Sequence, residues 1–221
     1  YKRQLKGRGR TATVESTSDG TARWCSGPCA TRRGGGGPTV ARLAAVRVLE
    51  RVERARAYAD VALHHVLASS NMASVDRRLA TELVYGTLRW RGRLDFVLQA
   101  ALERELASLE PLVLTTLRMG AYQLLFSDRI PDSAAVDESV RCSRALGAER
   151  AAGLVNATLR RVSRERESLS LPEWSSDPLG HLEPALSLPR WLAERWLDDF
   201  GPEAARLAEA CNAQPPHTIR A

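Results

Sequence analysis

The 221-residue sequence predicts an all-α fold, a helical bundle around one central apolar helix, and three observations carry that prediction. Between Thr39 and Arg166 the apolar residues recur at i, i+3, i+4 and i+7 rather than alternating, which is the spacing of helices. One stretch, Pro111–Phe126, is apolar on most sides, so it belongs inside with neighbours around it. Gly86 and Gly120 fall within helical patterns, where glycine costs roughly 1 kcal/mol against alanine, and each therefore marks a close crossing by another helix.

The first helix is expected from Thr39, as N-cap, to about Arg54. Leu43, Ala44, Val48 and Val52 mark its buried side. Arg47, Arg51 and Arg54 form a basic stripe, either a solvated face partly paired with Glu50 and Glu53 or a phosphate contact. A break at Tyr58–Asp60 leads into a short helix built on Ala62, Leu63, Val66 and Leu67. His64 and His65 lie on its exposed or boundary face and, being adjacent, point in different directions, which argues against joint metal ligation.

A long pattern then runs through Leu79, Leu83, Gly86, Trp90, Leu94, Val97 and Ala101, bent near Gly92. It carries Arg77 and Arg78 at its start and Arg89, Arg91 and Arg93 in its middle, softened by Asp76 and Asp95. The central helix follows. Pro111 suits its first turn, and Thr115, Thr116, Arg118 and Gln123 interrupt its apolar surface, making it unfit to span a bilayer. Asp132 or Ser133 caps a further helix holding Ala135, Val136, Val140 and Cys142, which Gly147 ends. Cys142 reads as a small core residue rather than a nucleophile. The last bundle helix, about Glu149–Arg166, buries Leu154, Val155, Thr158, Leu159 and Val162 and exposes Arg160, Arg161, Arg164 and Arg166; Asn156 reads as a buried amide bonded to backbone.

Residues 168–188, rich in Pro and Ser, read as a linker. Residues 189–221 read as the start of a second domain: two short helices, Pro189–Phe200 and Pro202–Cys211, joined at Gly201, and the beginning of a strand at His217–Ala221. Residues 1–38 read as a disordered basic tail, and the Cys25/Cys29 pair within it lacks the second ligand pair a metal site needs. The chain opens on Tyr1, its first Met is Met72 and it stops as a strand begins, so it is expected to be a fragment, or to have been opened upstream of its first codon.

A net charge of +6 and a pI of about 9.6 suggest a nucleic-acid binder until they are located. Residues 1–38 hold eight basic and two acidic side chains, which accounts for the whole excess. The body beyond is neutral, so any RNA affinity must come from how its arginines are grouped. With no signal peptide, membrane span or disulfide framework in the pattern, a cytoplasmic location is expected.

Six stretches in order resemble one family: Ala59–Asp60, Asp76–Arg89 (DRRLATELVYGTLR), Leu117–Leu125 (LRMGAYQLL), Arg129–Pro131, Ala134–Glu138 (AAVDE) and Gly153–Arg160 (GLVNATLR). They are similar to the NusB-like N-terminal domain, here residues 39–167, of the 16S rRNA cytosine-5 methyltransferases usually called RsmB or Sun. Leu188–Leu192 and Asn212–Arg220 look like that family's entry into its methyltransferase half.

The resemblance implies a targeting module that holds small-subunit ribosomal RNA, probing it with Arg47, Arg51, Arg54, Arg77, Arg78, Arg89, Arg91, Arg93, Arg160 and Arg161 as candidate phosphate clamps. It also implies S-adenosylmethionine as cofactor, but for a catalytic domain whose Gly-rich loop and paired cysteines have no counterpart here. No catalytic, cofactor or metal residue is therefore assigned to this chain, which is expected to be a monomer, inactive alone and independent of membranes. The alternative is a free-standing NusB-like antitermination factor that pairs with a ribosomal protein on nascent RNA.

Overall fold

The structure, a computed structural model, describes residues 39–213. Ten α-helices fill them: α1 (Val40–Ala55), α2 (Ala59–Ala68), α3 (Ser74–Arg89), α4 (Arg91–Ala101), α5 (Pro111–Phe126), α6 (Asp132–Ala145), α7 (Ala152–Glu165), α8 (Pro178–Leu186), α9 (Arg190–Phe200) and α10 (Glu203–Asn212). No strand occurs among the described residues, and no helix among them is long and apolar enough to cross a membrane. The basic tail with Cys25 and Cys29, and the strand expected at His217–Ala221, lie outside the described residues.

α5 is the axis. It packs against α1, α3, α4, α6 and α7, and every residue from Leu112 to Leu124 except Leu114 is buried. The four polar residues that interrupt it in the sequence are buried as well: Thr116, Arg118 and Gln123 find partners, while the Thr115 hydroxyl has none among the described residues. Thr116 Oγ1 donates to the Leu112 carbonyl (2.8 Å) and Gln123 Nε2 to that of Met119 (3.1 Å). Gln123 Oε1 accepts from Arg42 Nε at 2.7 Å, tying α5 to α1. Arg118 forks onto Asp95 of α4 through Nε and Nη2 (2.6 and 2.8 Å) and reaches Glu53 of α1 through Nη1 (3.1 Å). A buried guanidinium is tolerated only when paired in this way.

Both glycines expected at helix crossings are there. A Cβ on Gly120 would sit 2.5 Å from Leu159 Cδ1 of α7 and 2.8 Å from Ser139 Oγ of α6. A Cβ on Gly86 would run into the ring of Tyr122, which stacks in turn on Phe126. The long third pattern breaks close to Gly92, two residues earlier at Trp90, whose N–H ends α3 on Gly86 and whose carbonyl starts α4 by accepting from Leu94. Trp90 is held there by stacking on Phe126, ring centroids 4.7 Å apart.

Gly92 has a different task, which corrects the linker assigned to residues 168–188. Pro178–Leu186 is a helix, α8, because Asp177 caps it by accepting from Gly180 N (2.8 Å) and Pro178 occupies its first turn. α8 packs on α4 so closely that a Cβ on Gly92 would lie 2.5 Å from the Glu183 carbonyl oxygen, and the Arg93 N–H donates to Ser187 Oγ at 2.9 Å. α8, α9 and α10 then gather round a small core of Leu182, Leu188, Ala193, Ala204 and Ala208.

Two further expectations change on α7. Asn156 is half-buried, not internal, and its Oδ1 accepts from Arg160 Nε rather than from backbone (3.0 Å). Arg166, expected on the exposed face, is half-buried and folds back so that Nη1 donates to the Leu124 carbonyl at the end of α5 and to Asp132 at 3.1 Å.

Candidate nucleic-acid interface

The ten candidate arginines divide by what holds their guanidinium groups. On α1, Arg47 is exposed and Arg51 half-buried, while Arg54 pairs with Glu50 at 3.1 Å. Glu53, expected to pair with the same stripe, instead holds Arg118 and Arg91. Arg91 takes that carboxylate at 2.8 Å and so belongs to the α1–α4–α5 tie. Arg77 donates to the Leu67 carbonyl at 2.8 Å, closing the end of α2, while its neighbour Arg78 is exposed. Arg93 is half-buried, and burial lowers its pKa from the usual guanidinium range. Arg89 stands exposed near Tyr122, whose phenol is raised by burial and by Glu82, with Arg89 opposing. Arg161 pairs with Glu165 at 2.9 Å. Among the described residues, then, Arg47, Arg78, Arg89 and Arg160 are exposed and make no ion pair, and Arg77 meets only a backbone carbonyl.

Among the described residues, one open groove of about 490 Å³ lies where α4 meets α8, and three more lie on both flanks of α7, two of them reached by the candidates Arg160 and Arg161. Of these three, one, of about 540 Å³, runs between the end of α4 and α7 and is lined by Leu102, Glu103, Arg104, Leu154, Arg161 and Arg164 among others. A second, of about 250 Å³, lies between α6 and α7 and is lined by Asp132, Ser133, Val136, Arg160, Ser163 and Arg164. A third, of about 400 Å³, lies further along the same pair of helices with Asp137, Arg141, Arg144 and Asn156. Arg164 lines the first two at once. Arg104 and Arg164 escaped the candidate set: Arg104 sits in a loop with no periodicity, and its meeting with α7 is made by tertiary packing alone.

Within the α6–α7 groove Ser163 Oγ donates to Asp132 at 2.6 Å, and Arg166 Nη1 holds the same carboxylate at 3.1 Å. Cys142 is wholly buried on α6, and burial, reinforced by Glu138, pushes its thiol up to about 12. His64 and His65 are both exposed on α2, and no group of three or more His, Cys, Asp or Glu among the described residues could hold a metal ion. What this surface offers is guanidinium forks over shallow, partly apolar floors, a chemistry suited to polyanion contact.

An all-α bundle enclosing one apolar helix, with open arginine-bearing grooves on its outside, defines a class of helical binding domain. Residues 39–164 match the NusB family model, and the chain belongs to that family. It is 34% identical over 185 residues to the probable ribosomal RNA small subunit methyltransferase B of Bacillus subtilis, a match that takes in 82% of this chain and 40% of that protein. The chain thus spans about two fifths of that relative's length.

Among solved structures it is similar to NusB of T. maritima, with 25% identity and a TM-score of 0.52 over 57% of this chain and 89% of that one. It shares its fold with the NusB seen with NusE and dsRNA (21% identity, TM-score 0.53, 56% and 93% covered). It shares its fold also with PH0851 (16% identity, TM-score 0.61), over 79% of this chain and 39% of that one.

Proposed function

We propose that this chain is the RNA-holding part of a small-subunit ribosomal RNA methyltransferase. In this reading it positions an rRNA segment for a cytosine-C5 transfer from S-adenosylmethionine, performed by a catalytic part that corresponds to the portion of the relative this chain does not span. It works in the cytoplasm as a monomer, and alone it transfers no methyl group.

The observation that carries the reading is a NusB-family bundle whose interior is filled while unpaired guanidinium groups line open grooves outside. Such a surface grips phosphates without reading bases, which is what a targeting module needs. The relation to a protein named as a methyltransferase, over more residues than the NusB segment alone, favours this reading over a free-standing antitermination factor with a ribosomal-protein partner.

The test is a titration of the chain with labelled small-subunit rRNA fragments at about 50 and 200 mM salt. Binding should weaken steeply, with log K falling by roughly 0.7–0.9 per phosphate contact for each decade of salt. Absent or salt-insensitive binding overturns the reading.

A further inference from the structure

We propose that the two grooves flanking α7 seat a single RNA strand along its phosphodiester backbone, with Arg104, Arg160 and Arg164 as the phosphate contacts. The inference rests on the RNA-holding reading above and locates it.

Arg160 and Arg164 lie one helical turn apart on α7, close enough for two like charges to be unfavourable unless an anion lies between them. Asp132, the acid lining the α6–α7 groove, and Glu165 on α7 itself are engaged elsewhere. Asp132 accepts from Ser163 Oγ at 2.6 Å and from Arg166 Nη1 at 3.1 Å. Glu165 holds Arg161 at 2.9 Å. Glu103, exposed at the rim beside Arg104, is the remaining acid of the α4–α7 groove, against three arginines lining it. Among the described residues Arg104, Arg160 and Arg164 make no ion pair.

The shape agrees with the charge. Because Arg164 lines both grooves, a strand crossing α7 meets Arg160 and Arg164 on one side and Arg104 on the other. The floor of the larger groove includes Leu102 and Leu154, apolar surface of a kind that ribose and base faces can cover. A protein partner would look for an aromatic or aliphatic anchor. The exposed large hydrophobics of the described residues, Tyr58, Val61, Val75, Tyr85, Trp191 and Phe200, lie outside both grooves. With no aromatic platform for stacking, contact through the backbone with little sequence preference is expected.

The experiment compares two charge-reversed triples by fluorescence anisotropy with a labelled single-stranded RNA of about 12 nucleotides. One carries Arg104→Glu, Arg160→Glu and Arg164→Glu; the other carries Arg47→Glu, Arg78→Glu and Arg89→Glu, the same charge change at sites that are also exposed. The α7 triple should bind at least about tenfold more weakly, with a salt slope lower by about two. The control triple should lose much less.

Equal losses would mean net charge alone, and loss confined to the control would move the strand to α1 and α3; either overturns this proposal and leaves the RNA reading standing. Wild-type chain that shows no salt-dependent binding removes both. Polyglutamate that displaces the RNA at equal charge concentration, and is equally weakened by the α7 triple, overturns RNA as the occupant in favour of an acidic protein segment. Should a triple lose its helical circular dichroism, photocross-linking of 4-thiouridine RNA to the wild-type chain decides. Adducts in residues 101–104 and 154–164 support the proposal, and adducts elsewhere overturn it.

Discussion

The bundle of α1–α7 and the group of α8–α10 are both helical and both apolar inside, yet they are built to different standards. The bundle closes on leucines and a methionine that are wholly out of water, Leu83, Leu94, Leu98, Leu117, Met119 and Leu159 among them, laced by the Arg118–Asp95–Glu53 and Arg42–Gln123 ties. The second group has one such leucine, Leu182; three of its five buried core residues are alanines, Trp174 and Trp196 are only half covered, and Trp191 is exposed. Apolar area buried is the main source of stability, and an alanine brings little of it. The second group therefore depends on its seat against α4, where Gly92 lets two backbones meet. Order in the bundle is intrinsic; order in α8–α10 is borrowed.

The largest effect is expected where the bundle is densest. Leu117→Ala should lower unfolding free energy by about 3–4 kcal/mol, because the vacated space lies where five helices press on α5 and cannot collapse. Urea denaturation should show the midpoint fall for the whole bundle. A loss under 1 kcal/mol would mean that α5 is not the axis.

Gly92→Val should cost about 2 kcal/mol, and the cost should fall on α8–α10 alone. A Cβ there meets the Glu183 carbonyl oxygen and Ser187 Cα, both backbone, so the neighbour cannot swing aside. Amide exchange should accelerate across Pro178–Asn212 while α5 keeps its protection. Equal acceleration in α5 would show a single cooperative unit and dissolve the comparison.

The same contrast shows what could be read in advance. The central helix was legible because its evidence is one-dimensional: apolar residues in the run Leu112–Phe126, with Pro111 before it. Gly86 and Gly120 were legible for a related reason, since a glycine inside a helical pattern needs an external cause. Arg118 and Gln123 were not, because their partners Asp95 and Arg42 stand 23 and 81 residues away. α8 was hidden by its prolines, which read as breakers although Pro178 opens a helix. In the candidate interface, composition on α7 pointed to Arg160 and Arg161, but whether an arginine is free depends on acids from other helices. Arg164 stays open to two grooves while Arg166, two positions on, is drawn to Leu124 and Asp132. Arg104 joins them only through the packing of α4 against α7.

Each region also carries a described thiol, Cys142 buried in the bundle and Cys211 exposed on α10. The folded Cys142 keeps its proton until about 12, against an ordinary value of 9.0. Above pH 9 the unfolded chain releases that proton and the folded chain does not, so stability is intact below 9 and declines as pH rises towards 12. At pH 10 the loss should be about 1 kcal/mol. Cys142→Ala should flatten that decline, and Cys211→Ala should leave it unchanged. Denaturation midpoints between about pH 8 and about pH 11 check it, with Tyr122 adding to the loss in both variants.

The smallest effect sharpens the comparison from outside. Arg54 and Arg118 both pair with α1 carboxylates at 3.1 Å, Arg54 with Glu50 and Arg118 with Glu53. The Arg54 side chain is 69% exposed and that of Arg118 7%, so water competes for the first pair and hardly at all for the second. Arg54→Ala should therefore change stability by less than about 0.5 kcal/mol. Arg118→Ala, which takes the buried guanidinium from two partly buried carboxylates and leaves them only the half-exposed Arg91, should cost several times more. Matched urea titrations of the two variants measure the ratio directly. Near-equal costs would mean that distance alone, and not enclosure by the bundle, sets what an arginine contributes here.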